Sequence, residues 1–286
     1  MNATATSSRR VARSFRGQPT SDGAGVKLTR VIGQRDLDMI DPFLMLDEFR
    51  SDSASDYIGG FPNHPHRGFE TVTYMLAGRM RHGDNQGNSG LLTPGSVQWM
   101  TAGRGIVHSE MPEQEDGLMW GFQLWVNLPA ADKMSAPRYQ DIAPERIPIV
   151  EGGDGVQVRV LAGRFGETAG PVSGIAVEPL YLDFELAPGA RSVATIAAGH
   201  NAFAYVYAGS AELGPADAAT RIARGELAVL ERDGDALLIS AGSEPTRLIL
   251  VAGKPLNEPV AKYGPFVMNT PEQIAEAIRD YQSGKF

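Results

Sequence analysis

The stretch of sequence that decides the fold begins with His64-Pro65-His66-Arg67-Gly68-Phe69-Glu70 and closes with Ile106-Val107-His108-Ser109-Glu110. Each end offers two possible metal ligands separated by one residue. Residues i and i+2 of a β-strand point to the same face, with Cα atoms roughly 6.6 Å apart. If both ends are strands whose faces meet, three imidazoles and one carboxylate converge. The pattern therefore predicts a mononuclear metal site formed by these three histidines and Glu110.

A second carboxylate competes with Glu110 for a place in this site. Glu70 follows His66 by four residues and would face the same way if the strand were continuous. It could be a ligand, a partner for a histidine N–H group, or a base that accepts a proton from the substrate. Spacing alone does not choose between the two carboxylates. The three histidines with either carboxylate would leave coordination positions open on a five- or six-coordinate ion, as a catalytic site requires.

The composition narrows the kinds of metal and partner. The 286 residues include no cysteine, so a metal must be held by nitrogen and oxygen atoms. Such donors suit iron(II), manganese, copper, nickel, cobalt or zinc. A formal net charge of -8 argues against direct contact with nucleic acid or with an anionic membrane. No apolar run approaches the ~18 residues of a membrane span, and the N-terminal residues lack the apolar region of a secretion signal, so we expect a cytoplasmic protein. We also expect a monomer.

The chain around the ligands has the pattern of short strands. Apolar, β-branched and aromatic residues dominate Val26–Ile32, 69–76, Val97–Thr101 and 118–128, with glycine and proline turns between them. Short strands with almost no helical periodicity predict an antiparallel sandwich or barrel. Asp47 and Glu48 are adjacent in a further apolar run, so they should face opposite ways, and we expect both to be structural.

A helix is predicted at the end of the chain. Thr270 is a suitable N-cap, Pro271 fits the first helical position, and Gln273 completes a capping box. Gly284 marks the expected end of the helix. We expect its apolar stripe to pack on a barrel and to take no part in chemistry.

The two halves of the sequence resemble a degenerate repeat. The clearest match pairs Tyr74-Met75-Leu76-Ala77-Gly78 with Tyr205-Val206-Tyr207-Ala208-Gly209. If the two halves keep this alignment further along the chain, His108 and Glu110 correspond to Leu238 and Ser240. The segment 236–242 contains no metal ligand. The second half is therefore predicted to keep the scaffold without the metal. The expected domains are 1–134, which binds the metal, and 135–286, which includes the terminal helix.

These motifs carry a family resemblance. The pattern His64-x-His66-x-x-x-Glu70, a glycine turn, Pro94-Gly95 and then His108 resembles the two cupin motifs. More specifically, 61–72 and 97–110 look like pirin, and the resemblance extends to 41–49, 121–129 and 263–270. It implies an all-β fold of two tandem cupin (jelly-roll) β-barrels with a short C-terminal α-helix.

The resemblance also implies a site. The metal, typically iron, would lie in the N-terminal barrel on His64, His66, His108 and Glu110. Glu70, the usual cupin ligand, would then lie beside the ligands and not on the metal. Either Glu110 or Glu70 remains a candidate catalytic base.

Two functions from different classes follow from the resemblance. Bacterial pirins resemble quercetin 2,3-dioxygenases, which cleave a flavonol with O₂ and release carbon monoxide. The 3-hydroxyl and 4-carbonyl of the flavonol would occupy the open metal positions. Eukaryotic pirins are linked to transcriptional coregulation through an iron-dependent conformational state, in which the partner would be another protein. A zinc isomerase of the sugar-phosphate cupin type has suitable ligands, but only Arg67 and Arg104 are available near the site for a phosphate.

Overall fold

In the computed structural model, which describes residues 7–286, β-strands account for most of the chain. The first strands are β1 (Val11–Arg16), β2 (Gln18–Asp22), β3 (Val26–Ile32), β4 (Phe43–Ser51), β5 (Phe61–His66), β6 (Phe69–Ala77), β7 (Met80–Asp84), β8 (Ser89–Leu92), β9 (Val97–Thr101), β10 (Ile106–Pro112), β11 (Met119–Asn127) and β12 (Arg138–Ile142). They are followed by β13 (Ile149–Gly153), β14 (Val156–Ala162), β15 (Arg164–Phe165), β16 (Thr168–Ala169), β17 (Leu180–Leu186), β18 (Arg191–Thr195), β19 (Asn201–Ala208), β20 (Ser210–Leu213), β21 (Thr220–Ala223), β22 (Glu226–Leu230), β23 (Ala236–Ala241), β24 (Thr246–Gly253), β25 (Ala261–Tyr263), β26 (Phe266–Met268) and the helix α1 (Pro271–Gln282).

The chain forms two compact units, which we name the N-terminal and C-terminal barrels. The N-terminal barrel comprises Gln18–Arg146 and Leu256–Phe286, and the C-terminal barrel comprises Ile147–Pro255 together with 7–17. This division differs from the expected 1–134 and 135–286. It does so because β1 pairs with β22 and because Phe266, next to α1, pairs with Arg67 of the N-terminal barrel. Neither contact is visible in a local sequence pattern.

The N-terminal barrel consists of two antiparallel sheets. One has seven strands in the order β12-β9-β6-β11-β4-β3-β2, and the other has four in the order β5-β10-β7-β8. In β11 successive residues alternate between the two faces of the sheet. Phe122 and Leu124 are fully buried on one face, whereas Gln123 and Trp125 on the other face line a cavity together with His64.

The C-terminal barrel has the same arrangement with a different interior. Its sheets have the orders β1-β22-β19-β24-β17-β14-β13 and β18-β23-β20-β21. One buried apolar cluster draws side chains from both sheets, among them Leu182, Leu237 and Ile239. Packing of this kind fills a small barrel and stabilises it.

The helix α1 forms as the sequence predicts. The Thr270 side chain accepts a hydrogen bond from the backbone N–H of Gln273, and the Gln273 side chain accepts one from the backbone N–H of Thr270. Ile274 and Ala277 are buried against Phe266 and other residues of the N-terminal barrel. Within the described residues, no helix combines the length and the apolar character needed to cross a membrane.

Candidate metal centre

Three histidines meet on the paired strands β5 and β10. In the antiparallel register His108 lies directly opposite His64, and His66 lies opposite Ile106. The ring centroids are 4.7 Å apart for His64 and His66, 4.4 Å for His64 and His108, and 5.0 Å for His66 and His108. One nitrogen from each ring belongs to a set of possible ligand atoms that all lie within 4.8 Å of one another. The two strand-spaced motifs therefore converge.

A hydrogen bond to the backbone orients the His64 ring toward the other two rings. His64 Nδ1 lies 2.8 Å from the carbonyl oxygen of Pro62, so its N–H donates there and Nε2 keeps its lone pair. This Nε2 lies 3.1 Å from His66 Nε2. Both ring nitrogens of His108 are buried, and neither has a hydrogen-bond partner among residues 7–286. A cation among the three rings would give one of these nitrogens a partner, so the residues fit a metal ion.

The histidines are held in the form that binds metals. Burial, reinforced by the neighbouring His108 and His64, lowers the pKa of His66 well below its usual value. Burial also lowers the pKa of His108 to about 4, although the charge of Glu110 opposes this shift. Both imidazoles are therefore neutral at pH 7, with a lone pair available for a metal.

Glu110 lies beside the histidines and is held by its own hydrogen bonds. Its Oε1 atom lies 3.0 Å from the Thr73 hydroxyl, whose proton is shared with Gln123 Oε1 at 2.6 Å, and accepts a longer hydrogen bond of 3.5 Å from the Gln123 amide. Glu110 lines the same cavity as His64 and His66. The carboxylate is nevertheless not part of the set of ligand atoms within 4.8 Å of one another, which comprises only histidines in the part of the chain described here.

Glu70 is not brought to this cluster. The sequence argument assumed a continuous strand from His66, but β5 ends there and β6 begins after Gly68, which has a φ of 89°. On β6, Glu70 is three residues from Thr73 and so faces the other side of the sheet. Its carboxylate accepts hydrogen bonds from Trp99 Nε1 at 3.0 Å and from the Thr101 hydroxyl at 2.7 Å. These contacts give Glu70 a structural role within the sheet.

Asp47 and Glu48 face opposite ways, as predicted, but Asp47 is more than a structural residue of the core. Asp47 lines the cavity and forms a two-pronged ion pair with Arg30, whereas Glu48 accepts a hydrogen bond from Trp120. Sequence reasoning missed Arg30. The available signal was its position in β3, where it shares the buried face of Leu28.

The other histidines lie outside the cluster. His82 on β7 is buried in the N-terminal barrel, with its Nε2 3.1 Å from Asp141 Oδ2. His200 belongs to the C-terminal barrel, where its backbone carbonyl accepts a hydrogen bond from Arg9. Neither ring is a member of the ligand set.

The cavity next to the histidines has a volume of about 700 Å³. This size lies within the range of small-molecule sites. Its wall combines aromatic and aliphatic side chains with a few charged ones. The lining includes Leu28, Arg30, Leu44, Met45, Asp47, Phe49, Phe61, His64, His66, Glu110, Gln123, Trp125 and Lys262. An apolar wall with a few polar groups suits an aromatic ligand that carries oxygen substituents.

Comparison with known proteins identifies the family. A family model described as Pirin matches residues 25–126, and one described as Pirin C-terminal cupin domain matches residues 181–286. The chain belongs to the pirin family. A Pirin-like protein of Caulobacter vibrioides is 50% identical over 281 residues, covering 97% of this chain and 99% of that protein. The Pirin of Homo sapiens is 44% identical over 284 residues, covering 98% of this chain and 94% of that protein.

A solved structure agrees over nearly the whole of this pirin. The crystal structure of quercetin 2,3-dioxygenase from Acinetobacter baumannii superimposes with a TM-score of 0.90 at 33% identity. The match covers 98% of this chain and 99% of that one. The expected pair of cupin barrels with a terminal helix is therefore confirmed. In this pirin the three clustered histidines all fall within the residues matched by the first family model.

Proposed function

We propose that this pirin is a metal-dependent dioxygenase that cleaves a flavonol, with quercetin as the first substrate to test. The observation that carries the proposal is the convergence of three imidazoles beside a cavity of about 700 Å³ with largely apolar walls. The similarity to the quercetin 2,3-dioxygenase of Acinetobacter baumannii supports the choice of substrate class.

His64, His66, His108 and Glu110 would hold the metal, and iron(II) is the metal we propose. Nitrogen and oxygen donors that leave coordination positions open are typical of mononuclear non-haem iron sites. When bound, the metal lowers the pKa of a coordinated hydroxyl group and makes the substrate reactive toward O₂. The Glu110 atom Oε1 accepts both hydrogen bonds made by that carboxylate among the described residues, so Oε2 remains for the metal or for a substrate proton.

The remaining residues would bind and orient the flavonol. Trp125 contacts both His66 and Phe69, with ring centroids 5.2 Å and 4.4 Å apart, and presents a flat apolar surface next to the histidines. Planar rings bound against this surface exclude water from the reacting edge. Glu110, positioned by the Thr73 hydroxyl, would accept the proton of the flavonol 3-hydroxyl. The flavonol and O₂ are consumed together, and carbon monoxide and an aromatic ester are released.

The direct test is aerobic turnover with protein purified without oxygen, loaded with iron(II) and checked by metal analysis. We expect loss of the flavonol absorbance together with release of carbon monoxide, and His108→Ala should abolish both. Lack of turnover by iron-replete protein would refute the proposal. The regulatory alternative with a protein partner stays a prediction, and no contact among residues 7–286 favours it.

A further inference from the structure

A row of polar side chains runs across the seven-stranded sheet of the N-terminal barrel. Thr73, Gln123, Asp47 and Arg30 lie directly opposite one another on the successive strands β6, β11, β4 and β3. Neighbouring strands are ~4.8 Å apart, so the row extends over roughly 14 Å. It begins at Thr73, which contacts Glu110, and its last three members line the cavity.

The fold itself does not require these polar residues. In the C-terminal barrel the corresponding strands β19, β24, β17 and β14 pair in the same way, and the matching row is Ala204, Leu250, Leu182 and Val160. All four of these side chains are fully buried in the apolar cluster. Replacing a buried ion pair with apolar residues of similar volume often leaves the stability of a protein unchanged or increases it. The polar row therefore points to a ligand.

Arg30 is held firmly and still has donors to offer. Its Nε and Nη2 atoms donate to the two oxygens of Asp47 at 2.9 Å and 2.7 Å, and Nη2 also donates to Asp22 at 2.9 Å. Asp47 is only 2% exposed, so this pair fixes the plane of the guanidinium group. Among the described residues, Nη1 has no hydrogen-bond partner, while the side chain keeps 25% of its surface exposed.

The position of Arg30 indicates what it would bind. The two N–H groups of Nη1 would donate to a hydroxyl, carbonyl or phenolate oxygen. The cavity wall that Arg30 shares with His64 and His66 also includes Phe49 and Trp125. We propose that Arg30 is a substrate-anchoring residue that binds an oxygen substituent on the remote ring of an aromatic substrate. This inference rests on the proposed function only for the near end of that substrate, which would contact the histidines.

Binding of two related probes tests this inference. Quercetin and 3-hydroxyflavone share the 3-hydroxyl and 4-carbonyl, but only quercetin carries hydroxyl groups on its other rings. Dissociation constants are measured for metal-loaded protein without oxygen, from the quenching of tryptophan fluorescence. We expect unaltered protein to bind quercetin at least about tenfold more tightly, because a hydrogen bond to a charged group is lost with 3-hydroxyflavone.

The key variant is Arg30→Lys. An ammonium group can remain between Asp47 and Asp22, but it cannot also present the second nitrogen of a planar fork. We expect the preference for quercetin to fall to nearly one. The matched control is Arg81→Lys, since Arg81 also makes two contacts with one carboxylate, that of Glu113, but lies outside the cavity lining. If Arg30→Lys does not fold, Arg30→Gln combined with Asp47→Asn removes both charges and takes its place.

The outcomes separate this inference from the proposed function. A quercetin preference that is equal in the unaltered and Arg30→Lys proteins overturns the anchoring role, even if quercetin is turned over. Failure of the unaltered protein to bind either probe also overturns it. A preference lost only in Arg30→Lys supports the anchoring role, even if neither flavonol is turned over and the proposed reaction is wrong.

Discussion

The two barrels share one strand arrangement but differ at the positions where chemistry is possible. In the N-terminal barrel His64 lies opposite His108 on β5 and β10, whereas the corresponding strands β18 and β23 place Ala194 opposite Leu237. His64 of the first pair borders a cavity, whereas the second pair is part of a closed apolar core. The same antiparallel strand pairings form the backbone hydrogen bonds of both barrels. A few inward-facing side chains therefore distinguish the candidate metal site from a barrel without ligands.

The largest expected effect comes from giving the N-terminal barrel the residues of its counterpart. The double variant His64→Ala with His108→Leu copies Ala194 and Leu237. We expect the metal content of anaerobically purified protein to fall to background, since two of three clustered imidazoles are lost. Circular dichroism should show the β-sheet spectrum retained, because the copied pair is compatible with this strand geometry. Metal bound in the usual amount would contradict the assignment of the site.

The reverse exchange should damage the C-terminal barrel. Leu182→Asp copies Asp47 at the corresponding position, but Val160 stands where Arg30 would be needed. A buried carboxylate without a partner should reduce the free energy of unfolding of this barrel by about 4 kcal/mol or more. Urea denaturation measures the change. The control Leu182→Asn has a similar size but no charge and should lose less, so equal losses would mean that the charge is irrelevant.

Much of this difference between the barrels was predictable from local patterns. The spacing of the histidines, the capping box of α1 and the opposite faces of Asp47 and Glu48 all depend on residues close in sequence. The repeat was also visible at its turns. Gly78 and Gly209 both have positive φ values, of 83° and 66°, which explains why glycine recurs there.

The errors arose where sequence distance does not determine spatial distance. Glu70 was placed with the histidines by counting through Gly68, where the chain in fact leaves one strand and begins another. The count that matched His108 to Leu238 assumed loops of equal length, and Leu237 is the residue that faces inward. The pairing of β1 with β22 could not be predicted locally, since antiparallel partners need not be close in the chain.

The buried histidines of the candidate metal site should make the stability of the metal-free protein depend on pH. Burial lowers the pKa of His108 from 6.5 to about 4, so between these values the unfolded chain binds more protons than the folded one. Stability should therefore fall as the pH decreases from 6.5 to 4. At ~1.36 kcal/mol for each pKa unit, His108 alone accounts for about 3 kcal/mol.

Denaturation of metal-free protein at pH 7 and pH 4.5 measures this effect. The variant His108→Leu should lose less stability than the unaltered protein over the same range. His200 in the C-terminal barrel also has a pKa lowered by burial. The contribution of His108 is therefore the difference in pH response between the unaltered protein and His108→Leu. An identical pH response in His108→Leu would show that His108 titrates normally.

The smallest expected effect tests the first member of the polar row. Thr73→Ala copies Ala204 and removes the hydroxyl that holds Glu110. A hydrogen bond to a supporting group of this kind typically changes metal affinity or activity by ~10-fold. Metal titration and steady-state kinetics should show such a loss, with a stability change of about 1 kcal/mol. Thr71→Ala is a suitable control because Thr71 is buried on the same strand, yet its hydroxyl has no hydrogen-bond partner among residues 7–286. If both variants behave alike, the Thr73 hydroxyl does not position Glu110, and the polar row begins at Gln123.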